Sequence, residues 1–230
     1  MRTRIKICGL TRTEDLRAAV DAGADAIGLV FYAKSPRYVT PEAAAALCSA
    51  VPPFVSIVGL FVNAAPEQVA EVVRAAPVSI LQFHGDESIE QCMASAALAN
   101  RPFLRAIRIG PDTQAADLLE YDAQYRAASA VSGGSGGKFA GLLLDALVEG
   151  YGGGGKVFDW SLIPKELAPR VVLSGGLSVQ NATDAVRQVR PWAVDISSGV
   201  ELHKGVKDAG KIRDFIAAVR FADATSDNAG

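Results

Sequence analysis

The chain has 230 residues, half of them apolar, with 23 Lys and Arg against 25 Asp and Glu for a formal charge of −2. That length supplies one large core. The near balance of charge, with no basic run, excludes a nucleic-acid surface, and no stretch approaches the roughly 18 apolar residues of a membrane span. The three cysteines, Cys8, Cys48 and Cys92, are far apart and lack Cys-x-x-Cys spacing. They suggest neither a disulfide framework nor a zinc site, and fit a soluble protein of the reducing cytoplasm acting on a small molecule.

From Ile5 onward, short β-branched runs alternate with Ala-rich stretches of helical period, the pattern of repeated parallel β-α units. In chain order the predicted strands are "RIKI", "AIGLVFY", "FVSIVGLFV", "SILQFHG", "FLRAIRI", "FAGLLLDA", "RVVLSGG" and "AVDISSG". The predicted helices are "TEDLRAAVDAG", "PEAAAALCSAV", "PEQVAEVVRAA", "ESIEQCMASAALA", "QAADLLEYDAQYRAA", "SVQNATDAVRQV" and "KDAGKIRDFIAAVRFA". After Trp160 only the short, Pro-containing "SLIPKEL" precedes the next strand. About eight strands, each with a helix, close most economically as a (β/α)8 TIM barrel over residues 1–222, with a short flexible tail over 223–230. An open doubly wound sheet would carry a dinucleotide glycine signature after its first strand, and "ICGLTR" is not one. "SGGSGGKF" precedes a strand and reads as a loop elongation on the far face. "EGYGGGGKVFDW" follows one, on the face where barrels keep their chemistry.

At the strand carboxyl ends this placement sets Cys8, then Arg37, Gln82 and His84, Asp145, Ser174–Gly176 and Asp195–Gly199. Cys8 and Asp145 then confront each other across a sugar-sized cavity, as an acid and a base would for proton transfer within one substrate. Thr11 and Glu14 read as a Thr-x-x-Glu cap, which brings a helix amino terminus close enough to favour a thiolate at Cys8. Cys48 and Cys92 fall inside helix patterns and read as packing. Asp145, ending "GLLLD", is either a carboxylate tying down the next turn or a general acid in partly apolar surroundings. Arg37 suits a bidentate grip on a ligand carboxylate, or is a solvated cation. His84 is a wall residue or a catalytic one. "LSGGLSVQ" and "DISSGVE" supply the small residues with which barrels bind phosphate after their last two strands. "GYGGGGKV" imitates a nucleotide P-loop, but Val157 has no hydroxyl for Mg²⁺ and the following segment is too short and Pro-broken for the required helix.

In order and spacing, "KICGL", "DAGADAIGLVFYAKSPRYV", "LQFHGDE", "LLLDA", "GGGGKVFDW", "LSGGL" and "VDISSGVE…KGVKDAGKI" resemble the motifs of the phosphoribosylanthranilate isomerases of tryptophan biosynthesis. The resemblance implies a (β/α)8 barrel that needs no cofactor or metal. It also implies an Amadori rearrangement of N-(5-phosphoribosyl)anthranilate to the 1-deoxyribulose-5-phosphate ketoamine by a monomer or homodimer. By that resemblance Cys8 is the general base and Asp145 the general acid. Arg37 is a ligand for the anthranilate carboxylate, His84 a substrate contact, and Asp195 a polar contact near the substrate amine. Backbone at Gly153, Gly155, Gly175, Gly176, Ser197 and Ser198 is the implied phosphate cradle. Gly154, Val157 and Phe83 depart from the residues usual in the family, and the glycine loosens the loop after the sixth strand rather than altering the chemistry. The histidine-pathway Amadori enzyme, a rival, uses two aspartates, and a non-catalytic phosphometabolite-binding barrel would need no aligned acid and base.

Overall fold

The computed structural model describes residues 2–131, 137–147 and 157–226. Eight parallel strands close in sequence order: β1 (Arg4–Cys8), β2 (Ala26–Val30), β3 (Ser56–Phe61), β4 (Ile80–Phe83), β5 (Phe103–Ile109), β6 (Phe139–Ala146), β7 (Val172–Leu173) and β8 (Ala193–Ile196). Pairing of β1 with β8, with Lys6 opposite Asp195, closes the ring. Around it lie α1 (Thr13–Asp21), α2 (Pro41–Cys48), α3 (Pro66–Ala75), α4 (Ile89–Ala99), α5 (Ala115–Val131), α6 (Ala182–Val189) and α7 (Ala209–Ser226). No helix among the described residues is long and apolar enough to cross a membrane.

Two apolar layers follow from the period of two along each strand. Ile5, Ile7, Ile27, Leu29, Leu142 and Leu144 face the helices in the main core, which also takes Cys48 and Cys92. The barrel interior holds a smaller cluster of Ala106, Leu143, Val172 and Ala193. On the helix side a ladder of rings runs Phe31–Phe61–Phe83–Phe103–Phe139, with centroids 5.4, 6.3, 5.6 and 5.7 Å apart. Phe83, which departs from the family's usual leucine, is one rung of it. Such pairs contribute about 0.5–1.5 kcal/mol each beyond the area they bury.

Several expectations change. No α-helix separates β6 from β7 among the described residues. Two one-turn 3-10 helices, Trp160–Leu162 and Ala168–Arg170, stand there, because Pro164 and Pro169 interrupt the ladder of backbone bonds. The helix expected from "SVQNATDAVRQV" begins only at Ala182. Asn181 accepts from Ser178 N at 2.8 Å and donates to the Gly176 carbonyl at 3.0 Å, which ties the preceding residues into a loop. An unforeseen hairpin, β9 (Glu201–His203) and β10 (Val206–Lys207), follows β8, and its turn uses Gly205 at φ +84°. Finally, α7 runs through Ser226, so residues 223–226 are helix rather than tail. Asp223 accepts both the backbone N–H and the hydroxyl of Thr3, which docks that last turn on the start of β1.

Candidate active site

Lys6 and Cys8 alternate with Ile5 and Ile7 along β1, so both project into the barrel. Cys8 is 4% exposed yet lies outside the apolar core. Gly28, its register partner on β2, makes room for it: a Cβ there would stand 2.8 Å from the sulfur and 3.0 Å from Lys6 Nζ. The Lys6 ammonium donates to Asp195 Oδ1 at 2.8 Å. Burial pulls the Lys6 ammonium down, but Asp195 and Cys8 together outweigh it and hold its pKa above the ordinary value. Burial pushes the Cys8 thiol up, Lys6 and more distantly Lys207 oppose that, and Asp195 adds to it, so the net shift is upward.

A helix, α1, does begin a few residues past Cys8, but the expected Thr-x-x-Glu cap is corrected. Thr11 caps no helix: its hydroxyl donates to the Gly205 carbonyl at 2.7 Å. The cap position of α1 belongs to Arg12, whose side chain forks onto Asp15 at 3.1 and 2.6 Å. The cation beside the sulfur is Lys6, two residues earlier on the same strand.

Across the barrel, Asp145 ends the inward face of β6 at 5% exposure. Its Oδ2 lies 3.0 Å from His84 Nε2, and His84 Nδ1 lies 3.0 Å from Gln82 Nε2. Both ring nitrogens of His84 are thus taken by protein groups. The other carboxylate oxygen, Oδ1, faces Gly175, where an added Cβ would stand 2.9 Å away.

Arg37 is neither free nor merely solvated. Its Nε and Nη2 donate to the two oxygens of Glu201 at 2.7 and 2.8 Å, and its stem crosses Gly9, where any Cβ would meet Cδ at 2.4 Å. Lys207 adds a third cationic contact, reaching Glu201 Oε1 at 3.1 Å, the Ser197 carbonyl at 3.0 Å and the Ser197 hydroxyl at 3.2 Å. Burial lowers the Lys207 pKa on balance. Burial would raise that of Glu201, but Arg37 and Lys207 reverse it and hold the carboxyl below its ordinary value. Glu201 and Lys207 escaped the sequence reading because they sit on the short hairpin, and "HKGV" with its glycine was the one local sign of it.

After β7, Gly175 and Gly176 take φ of +81° and +65° in succession, and after β8 Ser198 opens a one-turn helix, Ser198–Val200. The two loops touch: a Cβ on Gly199 would lie 2.1 Å from the Leu177 carbonyl. Gly175, Gly176, Ser197 and Ser198 are therefore brought together at one rim. Gly153 and Gly155, expected beside them, lie outside the described residues.

At the mouth of a closed (β/α)8 barrel, then, stand a thiol beside an ammonium and a carboxyl beside an imidazole, groups of the class that exchange protons with a small substrate. The model of the N-(5'-phosphoribosyl)anthranilate (PRA) isomerase family matches residues 5–218. The chain belongs to that family. It is 66% identical over 223 residues to the N-(5'-phosphoribosyl)anthranilate isomerase of Herminiimonas arsenicoxydans, spanning 97% of this chain and 95% of that one. The crystal structure of phosphoribosyl anthranilate isomerase from Thermotoga maritima superposes with a TM-score of 0.81 at 40% identity, covering 95% of this chain and 99% of that one. A phosphoribosyl anthranilate isomerase solved in complex with reduced 1-(o-carboxyphenylamino)-1-deoxyribulose 5-phosphate superposes at 0.77 with 38% identity, over 95% and 99% of the two chains.

Proposed function

We propose that this barrel converts N-(5-phosphoribosyl)anthranilate into 1-(2-carboxyphenylamino)-1-deoxyribulose 5-phosphate, with Asp145 as general acid and Cys8 as general base. Asp145 protonates the ribose ring oxygen and the ring opens to a Schiff base. Cys8 then removes the proton from C2, and the resulting enolamine tautomerises to the ketone. A thiol whose pKa is raised is ionised in a smaller fraction, but that fraction is the stronger base. The Lys6 ammonium offsets the thiolate charge without leaving its pair with Asp195.

Arg37, steered by Glu201 through one edge of its guanidinium, presents the Nη1 edge to the anthranilate carboxylate. The Asp195 oxygen not engaged by Lys6 faces the substrate amine. Backbone at Gly175, Gly176, Ser197 and Ser198, joined by Gly153 and Gly155, holds the phosphate. Three free cysteines fit a reducing cytoplasm as the site of this step, with the small phosphorylated substrate as the partner and the chain a monomer or homodimer.

The observation that carries the reading is the placement of Cys8 and Asp145 on inward faces of β1 and β6, each within reach of an organising side chain. The test follows the fluorescence of freshly generated phosphoribosylanthranilate. Cys8→Ala and Asp145→Asn should each lose roughly 10²- to 10⁴-fold in kcat while retaining affinity for the reduced product analogue. Wild-type turnover in either variant would sink the assignment.

A further inference from the structure

We propose that Gln82 is a positioning residue for the reaction: its amide fixes His84 as the Nε2–H tautomer, so that the ring donates to Asp145 Oδ2 and holds that carboxyl with Oδ1 left for the substrate. The inference rests on the reading of Asp145 as general acid. Gln82 and His84 are two residues apart at the end of β4 and share its inward face. Continuing the β4–β5 register sets Ala106 beside His84, and this small side chain lets the imidazole pass over β5 to the carboxyl on β6.

The chain of bonds has one direction. Gln82 Nε2 is a donor only, so at 3.0 Å it makes His84 Nδ1 an acceptor. A neutral ring then carries its proton on Nε2, which donates to Asp145 Oδ2 at 3.0 Å. Protonation of Nδ1 would set one N–H against another. Asp145 Oδ1, the oxygen facing Gly175, takes no part in this chain of bonds and is left for the substrate.

Gln82 is 0% exposed, and among the described residues its Oε1 has no hydrogen-bond partner. Among the described residues the bond to His84 is the only hydrogen bond this buried side-chain amide makes, so the two side chains orient each other.

The experiment uses ¹⁵N spectroscopy of the imidazole nitrogens at neutral pH, which is clean because the chain has 2 histidines and the other, His203, is exposed. The wild type should show His84 neutral with Nε2 protonated. Gln82→Glu replaces the donor with an anionic acceptor. It should convert His84 to imidazolium and lower kcat by roughly 10²-fold, the lower end of a general acid's contribution, with KM within about twofold. If Gln82→Glu fails to fold, Gln82→Met takes its place, and a larger imidazolium fraction than in the wild type is then expected. An imidazolium or Nδ1–H ring in the wild type overturns the proposal. So does an unchanged ring in the variant whatever its turnover, or undiminished turnover with a changed ring. A wild-type protein that does not isomerise phosphoribosylanthranilate fails the functional reading instead, and the spectrum still decides the tautomer.

Discussion

At Cys8 burial and the neighbouring Lys6 ammonium oppose each other, and with the thiol as general base their balance would set the working range of the site. Burial drives the thiol up and Lys6 draws it down, with the net direction upward. Activity governed by that thiol should therefore rise with pH into the alkaline side of the ordinary thiol value of about 8.5. Removing the ammonium in Lys6→Met should move the titration further up and depress kcat/KM most at neutral pH. Ultraviolet thiolate absorbance of each protein, read against its Cys8→Ser counterpart so that Cys48 and Cys92 cancel, measures this. An unmoved titration would show that Lys6 does not govern the sulfur. The sequence announced Cys8 by its place at the end of "RIKIC" and offered a helix start or a nearby cation to stabilise it, without singling out Lys6. The alternation that puts residues 6 and 8 on one face was legible. What was not legible is that a lysine can stand inside a barrel, because its partner Asp195 is 189 positions away and only the closing of the ring brings them together.

At the level of elements, glycines decide how closely neighbouring strands and loops approach the chemistry. Gly28 is the clearest case: β2 runs beside β1 in a register that aims its missing side chain at the sulfur, 2.8 Å away, and at the backbone Cα of Cys8, 3.0 Å away. Gly28→Ala should displace the thiol and lose most of kcat. It should also cost about 1–3 kcal/mol, the usual penalty for overpacking a filled interior, read as a lower urea midpoint with an unchanged slope. Unaltered turnover would mean that the sulfur has slack the structure does not give it. Strand and helix periods were readable for nearly every element, β5 and β6 to the residue. The hairpin was not, since strands of three and two residues carry no period. With it went Glu201 and Lys207, and hence the fact that Arg37 enters the site already held by an anion.

Taken as a whole, the molecule places a buried ion pair at the seam where the first and last strands meet. Lys6 and Asp195 are register partners across β1 and β8, and their side chains are 5% and 6% exposed. The repeating β-α pattern makes a closed barrel the economical fold, but hydrophobic closure would be served as well by two apolar residues at that point. Buried ion pairs of this kind are often no more stabilising than a well-packed apolar pair, whereas removing one partner strands a buried charge at a cost of about 3–5 kcal/mol. The two effects separate stability from function. Asp195→Leu alone should unfold at much lower denaturant, because the Lys6 ammonium loses its counter-charge. Lys6→Met combined with Asp195→Leu should recover the wild-type midpoint, or exceed it, while turnover stays lost. Urea unfolding and the phosphoribosylanthranilate assay on the three proteins measure both arms. Recovery of turnover with stability would assign the pair to the fold alone. Recovery of stability without turnover would assign the charges to the thiol and the substrate amine, and would account for a barrel able to close on apolar side chains keeping them inside.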